Sequence, residues 1–420
     1  MCAVFFIMYL TCFSTYSFAQ NNAHKHISHL AGSHMFGRGY VNNGLERAES
    51  YIDSCFSAYN LNQFSSLDGY KQKLSYSANT FPGKMHIACN NQTLTPGVDF
   101  IVSAYSPKLS GSFECVVIKK KNVLSQKLPD LTNKILVIDD RNPEKIEEEK
   151  LKNIQKILQY IPLAKSNIAA IVELTNKKLS WNCAGYTANC PHIYINSSHI
   201  PDSLHTIDIH IEQKLIESYT THNICGYIEG STKPDSLIVF TAHYDHLGMM
   251  GNQTIFPGAN DNASGVAMLL DLIDYFSQTP PQYSLVFIAC TGEEMGLLGS
   301  KHIAQNPPFD LNSVRFLINI DLAGTGSEGI QIVNSSVFKQ ETALLDSLNS
   351  AHSLLPQIKK RGESCNSDHC PFYKKGVPSF FIYTLGGIDA YHDIFDCPET
   401  LPLTAFSNYK KLLQLYVQHL

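Results

Sequence analysis

Four nearly continuous apolar runs dominate the second half of the chain. They cover residues 237–242, 285–290, 316–320 and 378–383, and such runs are typical of parallel strands buried on both faces of a sheet. Between the first two, residues 264–276 carry a helical pattern that ends before a Thr-Pro-Pro sequence. This order of strand, helix and strand predicts an α/β fold with a mostly parallel sheet.

Polar side chains follow three of these predicted strands where each one ends. His243 directly follows the first strand, Glu293 and Glu294 come shortly after the second, and Asp321 closes the third. In open α/β sheets, ligands bind in the crevice beyond the carboxyl ends of the strands. Imidazoles and carboxylates that converge from separate segments are what a zinc site requires. The sequence therefore predicts one metal-binding pocket at this edge of the sheet.

Two further residues extend this set. Asp261 lies just before the predicted crossover helix, where an aspartate could equally serve as an ordinary helix cap. His392 follows the fourth strand after a glycine-containing loop and offers a second imidazole. With one histidine and several carboxylates already present, His392 becomes the natural ligand of a second metal ion.

The first half of the chain predicts an inserted domain. An amphipathic helix between Leu45 and Phe56 needs a core to pack against, and that core begins only after residue 205. Short strand-like runs surround one charged helix near 144–160, and these runs are residues 100–102, 115–118, 135–138 and 169–172. We therefore expect a helical part at 20–75, a smaller α/β insert at 76–204 and the main domain at 205–420.

Composition and the amino terminus add the context. With 420 residues, 44% hydrophobic content and a net charge of -5, the chain is globular and lacks the basic stripe of a nucleic-acid binder. Residues 1–19 have the short apolar core and small-residue end of a cleaved signal peptide, which predicts a secreted or periplasmic protein. No later stretch predicts stable membrane insertion. The oligomeric state stays open.

Cysteines suit an oxidising compartment. Of the 12 cysteines, two fall in the predicted signal peptide and leave an even number. Cys183 with Cys190 is the first candidate disulfide, and Cys365 with Cys370 the second. Cys290, at the end of a core strand, is expected to be a buried hydrophobic residue. The alternative that the first pair binds zinc with His192 lacks the second cysteine pair of structural zinc sites.

Five ordered motifs resemble those of a known family, the secreted two-zinc exopeptidases of clan MH. That family includes bacterial leucyl aminopeptidases, aminopeptidase Y and glutamate carboxypeptidase II. The motifs are AHYDH at 242–246, GANDNASG at 258–265, TGEEMGLLGS at 291–300, NID at 319–321 and YH at 391–392. The resemblance implies a mixed, mostly parallel sheet sandwiched by helices, the zinc exopeptidase fold. The insert resembles the protease-associated domain of several members.

The resemblance also implies a ligand set for two zinc ions. Asp261 would bridge the two ions. His243 and Asp321 would complete one site, and Glu294 and His392 the other. This arrangement makes Zn²⁺ the expected cofactor, with two ions per chain.

Other residues receive supporting roles from the same resemblance. Glu293 would be the general base, and Tyr391 an additional hydrogen-bond donor to the oxyanion. Asp245 would be a residue behind the ligands that accepts the free ring N–H of His243. We expect His369 to be structural and His246 to be a bystander.

The implied function is a metallo-exopeptidase, most often an aminopeptidase, that hydrolyses terminal peptide bonds with a water activated by two zinc ions. Peptides are the expected substrates. A carboxypeptidase of the same family is one alternative. A glutaminyl cyclase, which is a single-zinc acyltransferase, is another. A non-enzymatic binding module is a third, and the complete ligand set argues against it.

Overall fold

The computed structural model describes residues 22–141, 145–164, 167–201 and 203–420. The predicted signal peptide at 1–19 lies outside these described residues. The helices are α1 at 22–30, α2 at Gly44–Ala58, α3 at Glu148–Tyr160, α4 at Gly265–Gln278, α5 at Leu298–Gln305, α6 at Lys339–His352, α7 at His369–Tyr373 and α8 at Phe406–His419. No helix in this part of the chain is both long and apolar enough to cross a membrane.

The strands belong to two large sheets and one hairpin. They are β1 at Lys71–Thr80, β2 at Met85–Cys89, β3 at Gln92–Leu94, β4 at Phe100–Val102, β5 at Leu109–Lys119, β6 at Ile135–Asp139, β7 at Ala170–Thr175, β8 at His192–Asn196, β9 at Thr206–Ile211, β10 at Lys214–Ile228, β11 at Lys233–His243, β12 at Gly248–Met250, β13 at Thr254–Phe256, β14 at Tyr283–Cys290, β15 at Val314–Ile320, β16 at Ile330–Val333, β17 at Ile358–Lys360 and β18 at Ser379–Thr384.

The first sheet has eight strands in the order β1-β10-β14-β11-β15-β18-β16-β17. Its four central strands, β14, β11, β15 and β18, are parallel, and antiparallel pairs flank them on either side. The four predicted strands are these four central ones. The predicted fold class, a mixed and mostly parallel sheet, is therefore confirmed.

Helices cover both faces of this sheet, because alternate strand residues point to opposite sides. Ile238 and Phe240 of β11 pack in one cluster with buried residues of α2, α4 and α8. Their neighbours Leu237 and Val239 pack in another cluster with residues of α5 and α7, including Ile303. Burial on both faces explains why the central strands are apolar throughout rather than alternating.

The second sheet forms the insert, with the strand order β3-β2-β9-β5-β6-β7-β8-β4. Helix α3 packs Ile154 and Leu158 on Leu136 and Ile171 of this sheet. Strand β1 pairs instead with β10 of the first sheet, and a boundary at 76 would divide it. Strand β9 at Thr206–Ile211 belongs to the insert's sheet, so a boundary at 204 would separate it from that sheet. We therefore propose that the insert comprises residues 81–212.

Candidate metal centre and active site

The carboxyl ends of three adjacent strands meet at one point. His243 is the last residue of β11, Asp321 directly follows β15, and Glu293 and Glu294 follow β14 by three and four residues. Asp261 reaches the same point from the segment before α4. Strand-end convergence thus brings these side chains together, as the apolar pattern predicts.

One ligand set consists of His243, Asp261 and Asp321. His243 Nε2 lies 3.3 Å from Asp261 Oδ1 and 3.5 Å from Asp321 Oδ1. Ligands at 2.0–2.1 Å from a tetrahedral zinc ion are about 3.3 Å apart, so these separations fit one ion. Asp321 Oδ1 is buried without a hydrogen-bond partner among the described atoms, which also suits a metal ligand. The three residues therefore form a candidate zinc site.

A second set shares Asp261 and adds His392 and Glu294. Asp261 Oδ2 lies 3.0 Å from His392 Nε2, which lies 3.2 Å from Glu294 Oε2. Each oxygen of Asp261 therefore faces a different histidine. This is the geometry that a carboxylate bridging two metal ions requires.

His246 also contacts this second set, so the expectation that it is a bystander is wrong. Its ring Nδ1 lies 2.9 Å from Glu294 Oε1, and the side chain is fully buried. It can also reach the same cation position as Asp261 and Glu294. His392 contacts both carboxylates through one nitrogen, which is how a ligand approaches a single ion. We therefore propose that His392 is the ligand and that His246 holds the other oxygen of Glu294.

This assignment predicts different zinc contents for two alanine variants. His392→Ala is expected to lower bound zinc from two ions to one per chain, because it removes a ligand. His246→Ala is expected to keep two ions with about 10- to 100-fold weaker affinity for one of them, as for other residues that orient a ligand. Metal analysis after dialysis against graded zinc buffers measures both. Equal zinc loss in the two variants would contradict the assignment.

The segment that carries Asp261 is held by two buried charged residues that the motifs do not include. The Arg38 guanidinium donates to five backbone carbonyls, those of Leu30 (3.0 Å), Tyr244 (2.9 Å), Pro257 (2.7 Å), Gly258 (2.7 Å) and Asp261 (3.2 Å). The Asp396 carboxylate accepts from the backbone N–H of Asn260 at 2.8 Å and of Asp261 at 3.0 Å. Burial lowers the pKa of Arg38 to about 10, so it stays charged at neutral pH. Both residues therefore fix the backbone of Asp261, the proposed bridging ligand.

Asp245 supports the Glu-Glu pair more directly than it supports His243. Its carboxylate accepts from the backbone N–H of Glu293 at 3.0 Å and of Glu294 at 3.3 Å. His243 Nδ1 donates to the Asp245 backbone carbonyl at 3.2 Å, while the carboxylate lies 3.8 Å away. The backbone carbonyl of Asp245, rather than its carboxylate, thus accepts the free ring N–H of His243. The tautomer is still the required one, since Nε2 is left to face the ligands.

The insert contacts the candidate metal centre directly. His392 Nδ1 donates to the Trp181 carbonyl at 3.0 Å and also lies 3.1 Å from Asn182 Oδ1. The backbone N–H of Trp181 donates back to the His392 carbonyl at 2.8 Å. Lys178 pairs with Asp393, the next residue, at 2.7 Å. The insert therefore fixes the ring orientation of a proposed ligand.

Glu293 and Tyr391 line the cavity without taking part in the close ligand contacts. The cavity has a volume of about 150 Å³, and its walls include His243, Asp321 and His392. Burial raises the pKa of Glu293 well above its usual range, more than the His243 imidazole lowers it. The Tyr391 ring stacks on His392 at 4.0 Å and is 47% exposed. Both side chains are placed to reach a substrate in the cavity.

One of the two predicted disulfides is present in the structure and the other is not. Cys365 and Cys370 form a disulfide with a Cα–Cα distance of 4.8 Å, as predicted. Cys183 and Cys190 are both free, so that predicted pair is wrong. Cys183 lies near Glu294 and Asp245 at the metal centre, where burial raises the pKa of its thiol well above the usual range. Its placement there explains why it does not pair within its own loop.

Two further expectations concern Cys290 and His369. Cys290 is free and fully buried, as predicted for a hydrophobic residue at the end of a strand. His369 Nε2 donates to the Ser364 carbonyl at 2.8 Å, and its ring stacks on Phe381. This packing is what a structural histidine needs.

Comparison with known protein sequences agrees with this geometry. Residues 223–417 match peptidase family M28. A probable zinc metalloprotease from Pyricularia oryzae is 38% identical over 111 residues, which are 26% of this chain and 22% of that protein. Aminopeptidase YwaD from Bacillus subtilis is 26% identical over 235 residues, which are 55% of this chain and 49% of that protein. The chain thus spans between about a fifth and a half of the length of these relatives.

Solved structures extend the similarity to nearly the whole fold. A zinc aminopeptidase from Bacillus subtilis superposes with a TM-score of 0.68 at 17% identity, covering 95% of this chain and 94% of that one. An aminopeptidase from Aneurinibacillus sp. strain AM-1 has a TM-score of 0.64 at 20% identity, covering 94% and 92%. At such identities the comparison establishes the fold alone.

Proposed function

From the premise that residues 223–417 belong to peptidase family M28, we propose that the protein is a zinc metallo-aminopeptidase with two ions per chain. One observation carries the proposal. Asp261 presents one carboxylate oxygen to His243 and the other to His392, at 3.3 and 3.0 Å. The similar proteins are a probable zinc metalloprotease and an aminopeptidase, which supports the same class.

The side chains divide the work of hydrolysis. Bound zinc would polarise the scissile carbonyl and lower the pKa of water. Glu293 takes a proton from the attacking water as the new C–O bond forms, and it delivers that proton to the nitrogen as the C–N bond breaks. Tyr391 donates a hydrogen bond to the oxygen that gains negative charge. The products are a free amino acid and a shortened peptide.

Trimming of a mixed peptide pool tests the proposal. The purified protein is incubated with the pool with and without a zinc chelator, and mass spectrometry identifies the trimmed end. We expect loss of amino-terminal residues that the chelator stops and added zinc restores. Trimming at the carboxyl end would identify a carboxypeptidase instead. Turnover that survives complete zinc removal would contradict the metal assignment.

Export remains a prediction from residues 1–19. A secreted or periplasmic location would suit a peptidase that acts on peptides outside the cytoplasm. We propose it on the sequence pattern alone.

A further inference from the structure

An arginine shares the cavity with the proposed ligands. Arg361 directly follows β17, and its side chain lines the same 150 Å³ space as His243, Asp321 and Glu293. Apart from the two imidazoles, it is the one cationic side chain among the residues that line this cavity. Its position therefore bears on what the cavity accepts.

Hydrogen bonds fix the backbone of Arg361, while most N–H donors of its guanidinium remain available to a ligand. The main-chain N–H donates to the Ile332 carbonyl at 2.9 Å and to Ser335 Oγ at 2.9 Å, and the Arg361 carbonyl accepts from Ser335 Oγ at 2.8 Å. The guanidinium uses one of its five N–H donors, from Nη1 to the Tyr383 hydroxyl at 3.2 Å. In the part of the chain that the structure describes, Arg361 forms no ion pair with a carboxylate.

Such a guanidinium is a receptor for an anion. Its planar fork matches a carboxylate in two parallel hydrogen bonds, and the half-enclosed cavity weakens the competition from water. The carboxylates of the cavity wall, Asp261, Asp321 and Glu293, are committed to metal binding and proton transfer by the proposed function. The side chains of Leu322 and Phe381 in the same wall offer apolar surface for the methylene groups that carry a substrate carboxylate.

We propose that Arg361 selects substrates that bring a carboxylate into the cavity, held in place by Tyr383. The inference rests on the proposed peptidase function and names its substrate class. Two sources carry the same chemistry: an acidic side chain on the amino-terminal residue, and the free carboxylate of a short peptide. The two sources are separated by experiment.

The first arm compares glutamyl and glutaminyl p-nitroanilide, which differ by one charged oxygen and have no carboxyl terminus. We expect wild-type kcat/KM to favour the glutamyl substrate by about 10- to 100-fold, the range for a hydrogen bond to a charged group. Arg361→Gln is expected to lower kcat/KM for the glutamyl substrate by that same factor and so to remove the preference. The second arm compares Leu-Leu with Leu-Leu amide. Preference for the free acid in this arm alone would identify the terminal carboxylate as the source.

A matched control and a binding measurement complete the design. Arg315→Gln changes an exposed arginine at the start of β15, about 20 Å along that strand from Asp321, and is expected to alter neither ratio. Calorimetric titration with L-glutamate and L-glutamine tests recognition without turnover, and the glutamate preference is expected to vanish in Arg361→Gln. If the protein bound L-glutamate in preference to L-glutamine through Arg361 but hydrolysed no peptide, the proposed peptidase function would be rejected and the role of Arg361 would stand. A preference that is absent in every arm, or that persists in Arg361→Gln, would overturn the role of Arg361.

Discussion

Replacing Glu293 with glutamine is expected to lower kcat/KM by at least about 10²–10⁴-fold while two zinc ions remain bound. The Glu293 side chain lines the cavity, and it belongs to neither group of described residues that could hold a metal ion. Glutamine has nearly the same size as glutamate, and its backbone N–H still donates to the Asp245 carboxylate. Its side-chain amide cannot take a proton from water. Steady-state kinetics on an aminoacyl p-nitroanilide and metal analysis of the same preparation measure the two quantities.

The adjacent residue provides the control for this substitution. Glu294→Gln makes the same chemical change in a side chain that contacts His392 and His246. It is expected to lose zinc as well as activity, so the two variants separate proton transfer from metal binding. Near-normal turnover in Glu293→Gln would disprove its role as the base. Zinc loss in that variant would show that Glu293 is a ligand.

Replacing Asp261 with asparagine is expected to disrupt both metal sites at once. Asparagine keeps one oxygen and turns an amide N–H₂ towards one of the two imidazoles, so it cannot bridge two cations. We expect zinc affinity to fall by more than about 100-fold, because 100-fold is the largest usual loss when only a residue that supports a ligand is removed. Activity is expected to fall with it. Metal analysis and calorimetric melting with and without zinc report the loss.

Asp271→Asn controls for the removal of a buried aspartate from the same domain. Asp271 lies on α4, where it pairs with Lys410 at 2.8 Å away from the ligand sets. This variant is expected to melt earlier but to keep two zinc ions. If Asp261→Asn melted earlier yet retained both ions and full activity, the bridging assignment would fail.

The central strands and the proposed ligands could be predicted because both depend on local patterns. An apolar run of six residues and the polar residue after it identify a strand and its end, and parallel topology then places the ends together. His243 and Asp321 are found in this way. The family resemblance added the division of roles between Glu293 and Glu294, which the apolar pattern does not contain.

The residues that support the site escaped prediction because their contacts join distant segments. Arg38 lies more than two hundred positions from Asp261, and Trp181 lies 211 positions from His392. A lone arginine or tryptophan outside the long helices and strands gives no periodic signal. His246 was misjudged because its contact with Glu294 depends on side-chain direction rather than on position in a motif. The wrong pairing of Cys183 with Cys190 has the same cause.

The hydrogen bond from His392 to the Trp181 carbonyl sets a practical limit on engineering this protein. An excised fragment that retained only residues 223–417 would lack that carbonyl, Arg38 and strand β1. Exchange of the insert for a related module would need to preserve the stretch from Lys178 to Asn182, or it would misalign His392, a proposed zinc ligand. Substitutions in this stretch are therefore expected to change turnover without replacing any proposed ligand, because the insert orients the His392 ring through its backbone.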